Sequence, residues 1–405
     1  MKSFDELMRA VNCTKFPERW REIYDAAMSD FSINGCKFAD PAYYDELGDT
    51  YGILNTHRDA YKKAAAEVGK NPDLSAFLSL VCYALKDLDA SEKEFTAFTL
   101  PTSSDGGHNL AYDMLPALAL CSVIPSFCER LKSLNLPGDI IRTMLNDPET
   151  YIDEYRRRNG GAYGSSLIAW GILILNCKIF RLGRLNFEIF KTFTAKASVF
   201  RNANGDEAVL ADGALLHKSG YALGAKGFED ESDSWQADIE ETADAWTGFS
   251  YDRRGYVRSE KVSLSKSEWT RVLTHGDPVV AVHIPSGGSL SPEAVNDALS
   301  KARYFLKTYF PDYCYKAFTC HSWMLSPELE RLVGEESNIV RFGNRFNRIS
   351  VVSQADDVFY FIFLKTWGAD IVYGDLPENS RLEKALKEHY LNGAKIYEVY
   401  GYFMS

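Results

Sequence analysis

Residues 279–323 read VVAVHIPSGGSLSPEAVNDALSKARYFLKTYFPDYCYKAFTCHSW. A short β-branched run ends at His283. Ser286-Gly287-Gly288-Ser289 follows, and Ser291-Pro292 then opens a long amphipathic segment. Serine suits a helix N-cap and proline the first helical position. KAFTCHSW closes the stretch as a second apolar strand. Strand, glycine turn, helix and strand in this order predict a β–α–β unit with two parallel, neighbouring strands. The turn would expose backbone N–H groups at the positive end of a helix, a geometry that suits an anion. It equally suits a plain tight corner, since neither G-x-x-x-x-G-K-[ST] nor G-x-G-x-x-G is present.

Ligands in such units collect at the carboxyl ends of the strands. His283 ends the first strand, and Cys320, His321 and Ser322 end the second. Cys320 and His283 are therefore a candidate nucleophile–base pair. Strand alternation puts His321 on the opposite face from Cys320. Upstream, RLGRLNFEIF (181–190) alternates Leu185, Phe187 and Ile189 against Arg184, Asn186 and Glu188. It reads as a half-buried strand whose polar face lines a cleft or meets solvent. Asn204-Gly205 marks a hairpin. DVFYFIFL (357–364) reads as a further strand.

The first third has helical periodicity instead. PERWREIYDAAMSD (17–30) carries Trp20, Ile23, Tyr24 and Ala27 on one stripe. DPAYYDELGDTYGIL, HRDAYKKAAAEVGK and NPDLSAFLSLVCYALKD continue the pattern, the last with Asn71 or Asp73 as cap. A looser segment, 99–110, precedes another apolar helix. Residues 134–161 predict two short helices, and the apolar run 167–175 a third, buried one. That run is far short of the ~20 residues needed to span a bilayer. The chain thus reads as α+β: a helical domain over 1–135, then a mixed sheet domain flanked by helices over 136–405.

Composition narrows the partners. A net charge of −11 over 405 residues argues against a nucleic-acid or anionic-membrane surface as main partner. The first residues have no apolar run of a secretory signal. Eight cysteines without C-x-x-C or zinc-finger spacing fit free core thiols in a reducing cytoplasm, with no metal. The stretch 228–244 holds eight carboxylates and no basic residue. It reads as a solvated loop, or as an attractor for a cationic amine that Trp235 and Trp246 would stack upon.

RLGRLNFEIF, DGALLHKSGYALGAKG, GDPVVAVHIPSGGSLSPEAV, FTCHSWMLSPEL and ESNIVRF together resemble a bacterial acyltransferase-domain family. Its members carry a helical N-acyltransferase N-terminal domain and a GNAT-like C-terminal domain; GNAT denotes the acyl-CoA-dependent N-acetyltransferase superfamily. The resemblance implies a sheet splayed between its fourth and fifth strands, here VVAVHI and KAFTCHSW. It implies acetyl-CoA or another acyl-CoA as co-substrate, its pyrophosphate on Ile284, Ser286, Gly287, Gly288 and Ser289. The loop differs from the usual pattern in having no basic residue; Lys301 and Arg303 are the nearest cations along the helix. The acceptor would be an amine of a small molecule or peptide. In direct transfer His283 or Glu188 would be the base, and a tyrosine or Cys320 the acid. In a two-step route Cys320, activated by His283, would carry the acyl group. A non-catalytic protein that binds an acyl-CoA or another small ligand or serves as a scaffold, and a Cys–His thiol enzyme, are the rival readings.

Overall fold

A computed structural model describes residues 2–95, 101–103, 107–166 and 168–405. Part of the looser segment 99–110, and the first residue of the run 167–175, lie outside the described residues. The chain divides into two compact units, Met1–Arg181 and Leu182–Ser405. Among the described residues no helix is long and apolar enough to cross a membrane.

The first unit is helical. Its central helix, Pro72–Ala84, starts as its sequence dictates: Asn71 Oδ1 accepts from the N–H groups of Asp73 and Leu74, and Pro72 occupies the first turn. Helix Arg19–Asn34 buries Trp20, Tyr24, Ala27 and Met28. Residues 138–158 form one continuous helix rather than two, with Pro148 inside it. The division at 181/182 stands later than the 135/136 expected from sequence. The reason is packing: helix Ile168–Leu175 approaches helix Leu115–Cys121 so closely that a Cβ on Gly171 would meet Leu120 at 2.4 Å. Arg130 on helix Ile124–Ser133 donates to Asn176, and Asn176 to Asp89 and Glu92, tying this segment to the helices before it.

The strands run β1 Ile179–Leu182, which spans the division, β2 Leu185–Thr192, β3 Ala197–Asn202, β4 Glu207–Ala211, β5 Ala214–Leu216, β6 Trp235–Ala237, β7 Glu240–Glu241, β8 Ala245–Tyr251, β9 Val257–Ser265, β10 Trp269–Leu273, β11 Pro278–His283, β12 Ala317–Ser322, β13 Asn347–Ser350 and β14 Val399–Met404. Within the second unit the main sheet is ordered β2-β11-β12-β14-β13. β11 and β12 are parallel; the other pairs are antiparallel. Helix Pro292–Tyr309 joins the parallel pair, so the β–α–β unit forms as the sequence predicts. A second sheet is ordered β10-β3-β4-β8-β7, with β9 on β8. The Asn204-Gly205 hairpin joins β3 to β4, Gly205 taking φ +87°. The fold is α+β, a helical unit followed by a mixed-sheet unit.

Two expectations change. DVFYFIFL supplies a short helix, Asp357–Phe361, rather than a strand; Val358 and Phe359 pack with Trp323, Leu386 and Tyr390, a pocket that takes one side of a turn rather than both faces of a strand. The polar face of β2 is not solvated: Asn186 is 1% and Glu188 5% exposed.

Candidate functional site

Pairing between β11 and β12 runs Val279↔Ala317, Val280↔Phe318, Ala281↔Thr319 and stops there. Both strands continue. β11 stays on β2 through Val282↔Phe187 and His283↔Asn186, while β12 stays on β14 through Cys320↔Gly401 to Ser322↔Val399. The parallel pair therefore opens into a wedge at its carboxyl end. The chain leaves this wedge into residues 284–290 and the helix beyond.

That turn needs its glycines for different reasons. Gly287 and Gly288 sit at φ +76° and +71°, a region that L side chains avoid. Nothing lies within 4 Å of a Cβ on Gly287, so the backbone there is open to a ligand. A Cβ on Gly288 would meet the Arg184 side chain at 3.3 Å. Arg184 Nη1 donates to Pro285 O at 2.8 Å. The cation that the turn lacks in its own sequence is thus brought to it from the turn between β1 and β2. Ser291 caps the helix, its Oγ accepting from Ala294 N–H, and Asn338 Nδ2 donates to Ser289 Oγ at 3.2 Å.

His283 Nε2 lies 2.8 Å from Glu188 Oε2. The contact follows from register and from a bulge. Directly paired residues share a face, so His283 shares one with Asn186, and Ala281 with Glu188. Between Glu188↔Ala281 and Lys191↔Val279, two residues of β2, Ile189 and Phe190, oppose Val280 alone. This is a β-bulge, and Phe190 takes φ +61° within it. In an unbulged strand residues 188 and 191 would face opposite ways. Here Lys191 Nζ comes to 3.2 Å from Glu188 Oε1, leaving the carboxylate between an imidazole and an ammonium. Burial pushes the Glu188 carboxyl upward, but the hydrogen bond and charge of His283, with Lys191, outweigh it; its pKa is lowered and it is ionised. With Nε2–H donated to this carboxylate, Nδ1 is the basic nitrogen of the ring. His283 is partly exposed and Glu188 buried.

Cys320 is placed differently. It is 1% exposed, and burial raises its thiol pKa to about 12. Ala281 and Thr319 share a face, and His283 lies two residues past Ala281; Cys320, next to Thr319, therefore points to the other face. His283 and Cys320 do not form a pair. His321 is on the His283 face, 4.0 Å from Glu398.

The acidic stretch does not present open aromatic faces. Glu240 pairs with Lys261, and Glu241 with Lys266 and Arg271. Lys266 and Arg271 themselves lie over the Trp246 ring, at 5.0 and 5.6 Å. Trp235 packs edge-on against Phe249. Among the described residues no group of three or more His, Cys, Asp or Glu is arranged to hold a metal ion.

Residues 179–403 match the family model of the GNAT-like C-terminal domain. Three solved structures share the fold over nearly the whole chain. An acyltransferase variant in complex with octanoyl-CoA is 17% identical, covers 100% of this chain and 99% of its own, and has a TM-score of 0.65. An acyltransferase in complex with decanoyl-CoA and teicoplanin is 17% identical, covers 99% and 98%, and scores 0.64. An acyltransferase in complex with decanoyl-CoA is 18% identical, covers 100% and 99%, and scores 0.63. No curated protein matches the chain significantly.

Proposed function

We propose that this chain, which belongs to the family of the GNAT-like C-terminal domain, transfers an acyl group from an acyl-CoA to an amine. The observation that carries the reading is the wedge: two parallel strands that part after Ala281 and Thr319 and lead directly into an open glycine turn and a capped helix. Residues 284–289 would hold the pyrophosphate on backbone N–H groups, with Ile284, Ser286, Gly287, Gly288 and Ser289 as the contact set and Arg184 as its cation. The solved structures of like fold that hold octanoyl- and decanoyl-CoA support an acyl-CoA in this role.

An acyl-CoA bound in the wedge supplies a thioester carbonyl. His283 then acts as the base, its Nδ1 taking the proton that the amine loses as its C–N bond forms; the thioester C–S bond breaks, and the departing CoA thiolate takes that proton back from the imidazolium. Glu188 is a positioning residue: it fixes the tautomer and balances the imidazolium, and His283 together with Lys191 keeps it ionised. Holding amine and thioester together lowers the barrier further. Cys320 has no chemical part in this scheme. A thiol with pKa near 12 and no access to solvent serves neither as nucleophile nor as acid at neutral pH, so transfer is direct. The acceptor is an amine of a small molecule or peptide; one of the like-fold structures contains teicoplanin.

Thermal denaturation against CoA, acetyl-CoA, octanoyl-CoA and decanoyl-CoA tests the reading. A ligand at one hundred times its Kd adds about 2.7 kcal/mol to stability. The expected result is a rise in Tm graded by acyl chain. No shift at millimolar ligand would remove the acyl-CoA site and the reaction with it.

A further inference from the structure

A groove of about 380 Å³ lies beside helix Pro292–Tyr309. Asn296, Leu299, Ser300 and Arg303 line it from the helix, Arg345 from the segment before β13, and Phe403 from β14. Arg303 stands eleven residues past Pro292, about 16 Å along the helix. The basic end of the groove is thus remote from the glycine turn.

No carboxylate lines the groove, although the chain holds 56 of them against 45 lysines and arginines. Neither Arg303 nor Arg345 has an ion pair or a side-chain hydrogen bond among the described residues. The carboxylates on neighbouring elements are engaged elsewhere. Asp297 pairs with Lys301 at 2.7 Å, and Glu336 with Arg341. Glu293, in the first turn of the helix, is hydrogen-bonded by its own N–H and Ser291, and Arg341 is the cation acting on it. Glu207 accepts from Asn347 and Tyr402, and Tyr402 points to the opposite face of the sheet from Phe403. Arg303 is also held in place: its Cζ lies 5.3 Å over the Phe318 ring, and Phe318 stacks on Phe403 at 5.3 Å between centroids. A ring in that position orders a guanidinium without neutralising it.

Charge decides the class of ligand. Two guanidiniums match the nearly two negative charges that a phosphate monoester carries at pH 7, and their planar forks fit its oxygens. A carboxylate or a phosphodiester brings only one charge. We infer that this groove binds the phosphate monoester of a small organic molecule, its phosphate between Arg303 and Arg345 with Ser300 Oγ as a further donor, and its organic part along Phe403. Two sources share this chemistry: a free phosphate metabolite, and the 3′-phosphate of CoA itself. The inference stands independently of acyl transfer.

Calorimetric titration of the full chain with 5′-AMP, at low salt and without acyl-CoA, tests it. Cyclic AMP and adenosine keep the same ring system and carry one charge and none. 5′-AMP should bind once per chain, at least about tenfold tighter than either. Arg303→Met and Arg345→Met should each weaken it at least about tenfold, with Tm little changed. Binding of 5′-AMP no tighter than that of cyclic AMP, no saturation at about 10 mM, or binding that survives both substitutions would each overturn the site. A second titration separates the sources. CoA binding tighter than dephospho-CoA, with the difference abolished in Arg303→Met, assigns the groove to the co-substrate's phosphate. Equal binding of the two assigns it to a separate phosphate metabolite. Loss of the acyl-CoA response would leave the 5′-AMP result untouched.

Discussion

Glu188 and His283 come from strands far apart in sequence, yet their side chains meet at 2.8 Å, with Lys191 on the other carboxylate oxygen at 3.2 Å. The carboxylate is buried and ionised between two cation-forming groups. An ionised carboxylate can only accept, so it fixes which ring nitrogen of His283 carries the shared proton.

Replacing His283 with Gln should lower acyl transfer by about 10²–10⁴-fold at saturating acyl-CoA, the usual worth of a positioned general base. Acyl-CoA binding, read by thermal shift, should change little. Glu188→Gln should act through His283, shifting the pH–rate profile as well as its height. Rates unchanged in both variants would remove the pair from the chemistry.

The same carboxylate should shape acid stability. Its folded pKa lies below the ordinary value of 4.5, so its contribution is present above that pH and is lost as pH falls through the depressed folded value. Denaturant unfolding at pH 7 and pH 3 should show a smaller acid loss in Glu188→Gln than in the wild type. An identical loss would mean that another group carries it.

Asp357 should act with the opposite sign. Burial, then the charge and hydrogen bond of Glu398, hold its pKa well above 3.8. The folded state keeps a proton that the unfolded state gives up, so stability falls as pH rises from about 4 through the folded value. Asp357→Asn should flatten this slope and be relatively more stable near pH 8. A slope unaltered by the substitution would refute the assignment.

Cys320 should prove inert. Iodoacetamide at pH 7.5 should label the exposed Cys314 and spare Cys320 in the native chain. Cys320→Ala should retain turnover. Rapid Cys320 labelling, or loss of turnover in a folded Cys320→Ala variant, would restore a covalent route.

The turn should be sensitive to single methyl groups. Ala at 287 or 288 meets a left-handed backbone that costs about 1–2 kcal/mol. At 288 it also crowds Arg184. Gly288→Ala should therefore weaken the stabilisation by acyl-CoA more than Gly287→Ala does. Equal responses would mean that Arg184 is not part of the ligand contact.

Local signals were enough for much of this architecture. The Ser291-Pro292 cap, the two glycines at 287 and 288 and the apolar runs on either side determine a β–α–β unit, because caps, positive φ and strand alternation are properties of adjacent residues. The Asn71-Pro72 start and the Trp20 stripe determine helices in the same way. Residues 138–158 form one helix where the pattern over 134–161 predicts two, and DVFYFIFL forms a helical turn where it predicts a strand, because its aromatic run fills one pocket from a single side. The site needed more than adjacency. Only the fold decided that Glu188 reaches both His283 and Lys191, because that depends on which strands pair and on a bulge at Phe190, a residue with no glycine-like signal for positive φ. Only the fold turned Cys320 away from His283, because the parallel register sets which face each residue takes. And only the fold delivered Arg184 to a turn that carries no cation of its own, because charge complementarity across a sheet is written in three dimensions and leaves no periodic trace along the chain.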